Sequence, residues 1–297
     1  MLIEFRTPTP ANDVQKGQTM ATLRVGVIGD PVAHSLSPIF QQPAFDDLGI
    51  DARYERWHTP ADQLPERIKS LRNPDAIGAN ITVPHKTAVM PLVDTISDLG
   101  QRIGAINTII NRDGQLHGDN TDVIGFQRSL LECRPAAERD HVLVLGAGGA
   151  SRAIIAALAD LGVASLTICN RTPARAEALL TDLQIPGATV LPWTDWDLMT
   201  AIRDHSVIVN ATSIGWNDEQ RVLDPALLDA FARTGLIVDL TYRDTPLLRD
   251  AAAAGIATLD GLPMLVYQGA RSFELWTGQH APVARMMAAA QQARHAG

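Results

Sequence analysis

The chain has 297 residues, 46% of them hydrophobic and 20% charged, with a formal net charge of −8. That length suits two domains, the apolar content excludes extended disorder, and the acidic balance excludes any general attraction to nucleic acid or to an anionic membrane surface. Two cysteines, Cys133 and Cys169, are too few for a disulfide framework and stand in no metal-ligating spacing, so both are expected to be buried thiols and no metal is expected. No apolar run approaches a membrane helix and the N-terminus lacks a secretory pattern, which leaves the cytoplasm as the expected compartment.

Residues 1–22 are polar and interrupted by prolines, and read as an extension, with Met20 an alternative start. From about residue 24 short β-branched runs alternate with amphipathic stretches: LRVGVIGD, the helix-like SPIFQQPAFDDLG, ARYERWH, ADQLPERIKSLR, then AIGANITVP. This alternation predicts βαβ units around a mostly parallel sheet. In AINTIINRDGQLHG the Asp113-Gly114 pair between two extended runs predicts a hairpin. The stretch TDVIGFQRSLLE then has helical spacing of Val123, Phe126, Leu130 and Leu131, with Asp122 at its start. A second α/β pattern follows in HVLVLGAGGASRAIIAALADLG, SLTICNRTPARAEALLTDL, HSVIVNATSIG and LIVDLTYRDTPLLRDAAAAG. Two helical segments, GLPMLVYQGARSFELWTG and APVARMMAAAQQARHAG, close the chain. No repeat of roughly 20 to 50 residues is present, which excludes solenoids and propellers.

Gly146, Gly148 and Gly149 lie between a buried strand and a helix, the place of a dinucleotide-binding turn where a pyrophosphate rests on the helix N-terminus. Ser151 stands where a third glycine is usual, and a glycine turn taken alone is also compatible with a purely structural role. The tip of the next strand decides more. An NAD site carries an acidic residue there for the ribose diol, whereas this chain has Asn170, Arg171, Thr172 and Arg175. Two guanidiniums and short polar groups suit a ribose 2′-phosphate, so the expected cofactor is NADP. Arg152, in the first turn of the preceding helix, adds charge nearby or serves the surface.

Polar residues of the first half cluster in HSLSP, NITVPHK and INTIINRDGQLHGDNTD, each following a strand-like run, so all three are expected at the carboxyl ends of one sheet. Within NITVPHK stands Lys86, one of three lysines against twenty-two arginines. A lysine ammonium can surrender its proton at working pH and a guanidinium cannot, so Lys86 is either a surface charge or a group for acid-base chemistry.

The motifs HSLSP, GANITVPHK, IGAINTI, GDNTD, LGAGGASRA, NRTPARAEAL, NATSIG and DGLPMLVYQGA, in this order and spacing, resemble the shikimate dehydrogenase family over nearly the whole chain from about residue 24. The resemblance implies reduction of 3-dehydroshikimate to shikimate with NADPH, a step toward aromatic amino acids. It implies an α/β fold of two domains: a substrate domain of residues 1–121 and 261–297 with a mostly parallel sheet, and a Rossmann-like NADP-binding domain of residues 122–260, the C-terminal helices returning to the first. Carried over by position, Lys86 and Asp122 match the catalytic pair. Ser35 and Ser37 match hydroxyls that hold the substrate carboxylate, although both also suit capping of the helix at Pro38. Asn80, Thr82 and Asn107 match ligands of ring hydroxyls, a role that competes with turn and strand-edge bonding. Tyr242 and Gln268 match substrate contacts, with core packing the other use of the tyrosine. Ala150, Thr212 and Met264 complete the cofactor set.

The sequence departs from the family at Val123 and Pro263, where glycine is frequent; both positions are expected near the cleft, where either can alter its shape. Two other readings remain open: a quinate/shikimate dehydrogenase of the same fold with relaxed cofactor use, and a non-catalytic sensor of NADP or a shikimate-like effector. The expected partner is a small-molecule substrate, with no nucleic acid and no membrane, for a monomer or homodimer.

Overall fold

A computed structural model describes residues 21–216 and 219–296. The alternative start at Met20 and all but the last two residues of the expected extension lie outside them. The first half forms β1 (Leu23–Gly29), α1 (Ser37–Asp47), β2 (Ala52–His58), α2 (Leu64–Ser70), β3 (Ala76–Ile81), β4 (Thr95–Ile96), α3 (Asp98–Ile103), β5 (Thr108–Arg112) and β6 (Gln115–Asp119). These strands make a six-stranded sheet in the order β2-β1-β3-β5-β6-β4. β1 pairs in parallel with β2 and β3, and β4 with β6, whereas β5 runs antiparallel to β3 and β6. The antiparallel step comes from the predicted hairpin: Asp113 (φ 52°) and Gly114 (φ 85°) both adopt the left-handed conformation that a two-residue turn between twisted strands requires. β4 and α3 escape sequence reading because two and six residues are too few to show a period.

After α4 (Asp122–Cys133) come β7 (His141–Leu145), α5 (Gly149–Leu161), β8 (Ser165–Asn170), α6 (Pro173–Asp182), β9 (Thr189–Pro192), α7 (Asp195–Asp204), β10 (Val207–Asn210), α8 (Pro225–Leu228), β11 (Leu236–Asp239), α9 (Pro246–Ala253) and β12 (Ala257–Leu259). The second sheet is parallel throughout, in the order β12-β11-β10-β7-β8-β9. This is the doubly wound order in which the chain reverses direction between β7 and β10, and ligands bind beyond the carboxyl ends of the strands at that switch point.

The last helices, α10 (Leu262–Thr277) and α11 (Val283–Ala296), return to the first sheet, where Val266, Phe273, Trp276 and Met286 are buried with Val25, Val27, Phe40 and Phe45. α2 covers the opposite face through Leu64 and Ile68 against Ile28, Ala79 and Ile81. α4 lies between the two sheets' layers. Its Val123, Phe126 and Leu130 are buried with Ile154 and Leu158 of α5, and a fully buried side chain of this size stabilises by about 1.5–3 kcal/mol.

Three sequence expectations need correction. Leu131 is 37% exposed, because at 100° per residue it lies well off the stripe of Val123, Phe126 and Leu130. Cys133 is exposed and only Cys169 buried: Cys133 is the last residue of α4 and lies open to solvent at the helix end, whereas Cys169 sits inside β8 and burial pushes its thiol up to about 12. Val123, 2% exposed, points into the core and does not shape a crevice. Pro263, the other departure, stands in the first turn of α10, where a missing N–H costs nothing.

Candidate active site

Lys86 follows β3 in a loop fixed on both sides. Its carbonyl accepts the Ile106 N–H at 2.9 Å, and His85 beside it donates its N–H to the Thr82 carbonyl at 2.9 Å. The His85 ring is buried, and Nε2 donates to the Thr59 carbonyl at 2.6 Å. From this anchored loop the Lys86 Nζ reaches Asp122 Oδ2 at 2.7 Å, with side-chain exposures of 28% and 12%. Among the described residues the ammonium makes no other hydrogen bond, so two of its protons remain for a ligand.

Asp122 is the first residue of α4, where the helix dipole favours a carboxylate, and its N–H donates to Asn120 Oδ1 at 3.1 Å. Its Oδ1 accepts from Asn107 Nδ2 at 2.8 Å. The sense of the Asn107 amide is fixed by its other end: Oδ1 accepts from the Thr121 N–H (2.8 Å), the Thr121 hydroxyl (3.1 Å) and the Thr108 hydroxyl (3.0 Å). Asn107 Nδ2 also lies 3.2 Å from Gln268 Oε1, and Gln268 Nε2 donates to the Leu265 carbonyl at 2.7 Å. Gly125 makes this convergence possible. A Cβ there would lie 2.8 Å from the Gln268 Cβ and 2.9 Å from its N, so only glycine lets α4 and α10 approach this closely.

Ser35 and Ser37 lie at the opening of α1. The Ser35 hydroxyl donates to Ser37 Oγ at 3.1 Å and accepts the Ser37 N–H at 3.2 Å, so it meets part of the helix-start demand as well. Neighbouring side chains continue the line. Next to them is Tyr54, whose phenol burial pushes far above its ordinary range despite Ser37 and the nearby Arg56 charge, and Arg56 donates to the Ser35 carbonyl at 3.1 and 2.8 Å. The Tyr54 hydroxyl donates to Asn80 Oδ1 at 2.7 Å. Asn80 in turn donates to Ser272 Oγ at 2.9 Å, with Thr108 Oγ1 and the Asn107 carbonyl each at 3.3 Å. The Asn80 amide protons are therefore already engaged. The Thr82 hydroxyl, by contrast, is in no hydrogen bond among the described residues.

Tyr242 stands apart from this network. Its ring packs edge-on against Trp216 at 5.4 Å, Arg243 lies over the same indole, and burial raises its phenol. Sequence reasoning missed Tyr54, Arg56, Thr108, Thr121 and Ser272. Thr121, adjoining Asp122 in GDNTD, and Tyr54, alternating with polar residues in ARYERWH, had local signals; Ser272 had none.

On the second sheet, Gly146 has φ 102°, and a Cβ there would lie 2.8 Å from Thr212 Cγ2. Gly148 and Gly149 are exposed with no atom within 4 Å of the position a Cβ would take, and Ala150 is exposed beside them. The open cradle at the start of α5 fits a pyrophosphate. Ser151, in the place of the third glycine, is buried and its Oγ accepts the Gly148 N–H at 3.0 Å, which holds the turn. Asn170 is consumed structurally: Oδ1 accepts the Ala147 N–H at 3.1 Å and Nδ2 donates to the Thr172 carbonyl at 2.8 Å, tying the glycine turn to the tip of β8. Arg171, Thr172 and Arg175 are exposed there, and among the described residues neither guanidinium is paired. Arg152 is spent elsewhere, on the Ile103 carbonyl at 2.6 Å and Asp182 at 3.2 Å. Thr212, after β10, faces the same switch point, while Met264 packs among the α4 and α5 side chains. Among the described residues no group of three or more His, Cys, Asp and Glu is placed to hold a metal ion, and no helix is long and apolar enough to cross a membrane.

A doubly wound sheet with an open glycine turn, coupled to a mixed sheet that presents a lysine-carboxylate pair, defines a two-domain α/β oxidoreductase dependent on a nicotinamide dinucleotide. Comparison with known proteins makes the assignment particular. Residues 27–109 match the shikimate dehydrogenase substrate binding domain, residues 131–242 shikimate / quinate 5-dehydrogenase, and residues 261–291 the shikimate 5′-dehydrogenase C-terminal domain. The shikimate dehydrogenase (NADP(+)) of Thermus thermophilus is 42% identical over 258 residues, 86% of this chain and 93% of that one. A crystal structure of shikimate 5-dehydrogenase from Thermus thermophilus in complex with NADP(H) and shikimate superposes with a TM-score of 0.82 at 41% identity, covering 91% of this chain and 99% of the other. Quinate dehydrogenase from Corynebacterium glutamicum in complex with NAD superposes with a TM-score of 0.83 at 29% identity, over 91% and 99%. The chain belongs to the shikimate dehydrogenase family.

Proposed function

We propose that the protein catalyses the reversible NADPH-dependent reduction of 3-dehydroshikimate to shikimate, in the cytoplasm, as a monomer or homodimer. The observation that carries this reading is the 2.7 Å contact between Lys86 Nζ and Asp122 Oδ2, with Asn107 on the other carboxylate oxygen. Bound NADPH supplies the hydride that adds to the substrate carbonyl carbon. As negative charge develops on the carbonyl oxygen, the Lys86 ammonium stabilises it and transfers a proton. Asp122, held by Asn107, keeps the ammonium aimed and offsets the charge change. The partly exposed lysine regains its proton from solvent, and in the oxidative direction the steps reverse.

At the far end of the substrate, Ser35 and Ser37 donate to the carboxylate, with the Arg56 charge behind Ser35 as counter-ion. Thr82, Asn107, Gln268 and Tyr242 surround the ring. The amide protons of Asn80 and of Asn107 are both already engaged, so each bears on the ring by holding its neighbours in place. Gly146, Gly148, Gly149 and Ala150 receive the pyrophosphate, Arg171, Thr172 and Arg175 the 2′-phosphate, and Thr212 and Met264 the nicotinamide side. Residues 1–121 with 261–297 and residues 122–260 form the two domains that close on this cleft.

The test is a spectrophotometric assay of NADPH formation with shikimate and quinate side by side, repeated with NAD. Activity with shikimate and NADP at least tenfold above the other combinations is expected. A preference for quinate with NAD makes the protein a quinate dehydrogenase, and binding without turnover makes it a sensor.

A further inference from the structure

We infer that Asp239, a buried carboxylate outside the acid-base pair, is a positioning residue that sets the hydrogen-bond polarity of the cofactor side, so that Thr212 can only accept from the bound nucleotide. The inference rests on the assignment of Thr212 to the cofactor under Proposed function.

Asp239 ends β11, is 0% exposed and is in no ion pair among the described residues. A buried carboxylate without a cation is costly unless hydrogen bonds satisfy it, and three do. Oδ1 accepts the Thr241 N–H at 3.0 Å, and Oδ2 accepts the Thr245 hydroxyl at 2.9 Å and Asn210 Nδ2 at 3.1 Å. An ionised carboxylate only accepts, so the Asn210 amide must turn its NH2 toward Asp239 and its oxygen the other way. That oxygen accepts both the Thr212 N–H (3.1 Å) and the Thr212 hydroxyl (2.7 Å). The Thr212 proton is thereby committed inward, and one lone pair of its Oγ1 accepts the Ile214 N–H at 3.2 Å. What remains for a ligand is a single acceptor position. It suits a ribose hydroxyl or a carboxamide NH2 and repels a phosphate oxygen. The same carboxylate fixes the backbone entering Tyr242 through Thr241, so one buried charge orients the loops after both β10 and β11.

The test measures NADPH binding by fluorescence titration, independently of turnover, for Asp239→Asn and for the exchanged pair Asp239→Asn with Asn210→Asp. The single variant turns one accepting edge into a donor facing donors, and its dissociation constant for NADPH should rise about tenfold. The exchanged pair puts the carboxylate at position 210, where it again accepts both Thr212 protons, and should bind NADPH within about threefold of the parent. Thr245→Val removes one bond to Asp239 without reversing any donor. It should lower the melting temperature while leaving NADPH affinity intact. Unchanged affinity in Asp239→Asn overturns the inference, as does an exchanged pair that binds no better than the single variant, or Thr245→Val losing as much affinity as Asp239→Asn. Failure of the parent protein to bind NADPH would instead refute the assignment of the cofactor site.

Discussion

Replacement of Arg171 by alanine probes cofactor choice at its physical source. Arg171 and Arg175 stand at the tip of β8 and the first turn of α6, exposed, with neither guanidinium engaged among the described residues. A hydrogen bond to a charged group contributes about 1.5–3 kcal/mol, and exposure to water and salt draws that toward the lower value. At about 1.4 kcal/mol per decade, the variant should show roughly a tenfold rise in KM for NADPH. Arg175, one helical turn away, keeps part of the attraction. NADH lacks the 2′-phosphate, so the ratio of kcat/KM for NADPH over NADH should fall by the same factor, while KM for 3-dehydroshikimate stays within about twofold because that site is independent. Steady-state kinetics with both nucleotides provide the measurement. An unchanged NADPH preference would refute the 2′-phosphate assignment.

Asn107→Ala takes away the amide that holds Asp122 Oδ1 at 2.8 Å. Loss of such a bond to a carboxylate should lower kcat/KM for 3-dehydroshikimate by about 10- to 100-fold, with NADPH dissociation unaltered in a fluorescence titration. Gly146→Ala forces a side chain at φ 102° to within 2.8 Å of Thr212 Cγ2; NADPH affinity and melting temperature should both fall, by about 1–3 kcal/mol in stability. His205 supplies a pH signature. Its pKa is held below the ordinary 6.5, chiefly by burial, while Nδ1 donates to the Ala201 carbonyl. A base with a depressed folded pKa takes up protons more readily when unfolded, so its contribution is complete above about pH 6.5 and is lost as the pH falls below it. The melting temperature measured from pH 7.5 to 5 should decline, and less steeply in His205→Gln; equal slopes would remove His205 as a cause.

The parts of the site visible in the sequence are those whose chemistry and fold are both local. Lys86 is marked by its rarity among arginines, and Gly146 with Gly148 and Gly149 by their place between a strand and a helix. The hairpin at Asp113-Gly114 is visible because two adjacent residues carry the whole conformational demand. What stays hidden depends on convergence across the chain. Ser272 meets Asn80 from 192 positions away, and nothing within a turn of the serine reports that meeting. Arg152 shows the reverse: charge and position suggest a phosphate, yet its guanidinium is taken by the Ile103 carbonyl and Asp182. Asn170, expected to touch cofactor, uses both ends of its amide to tie the glycine turn to the tip of β8. β9 passes unread because its four residues are partly exposed, whereas α7 buries Leu198, Ala201 and Ile202 at helical spacing and is legible.

The ammonium at position 86 bears the central claim, and turnover of Lys86→Ala with saturating NADPH and 3-dehydroshikimate tests it most directly. The predicted rate is lower than the parent's by roughly two to four orders of magnitude, with NADPH binding preserved. A variant that still reduces the substrate at a near-parental rate would contradict the proton transfer assigned to this side chain.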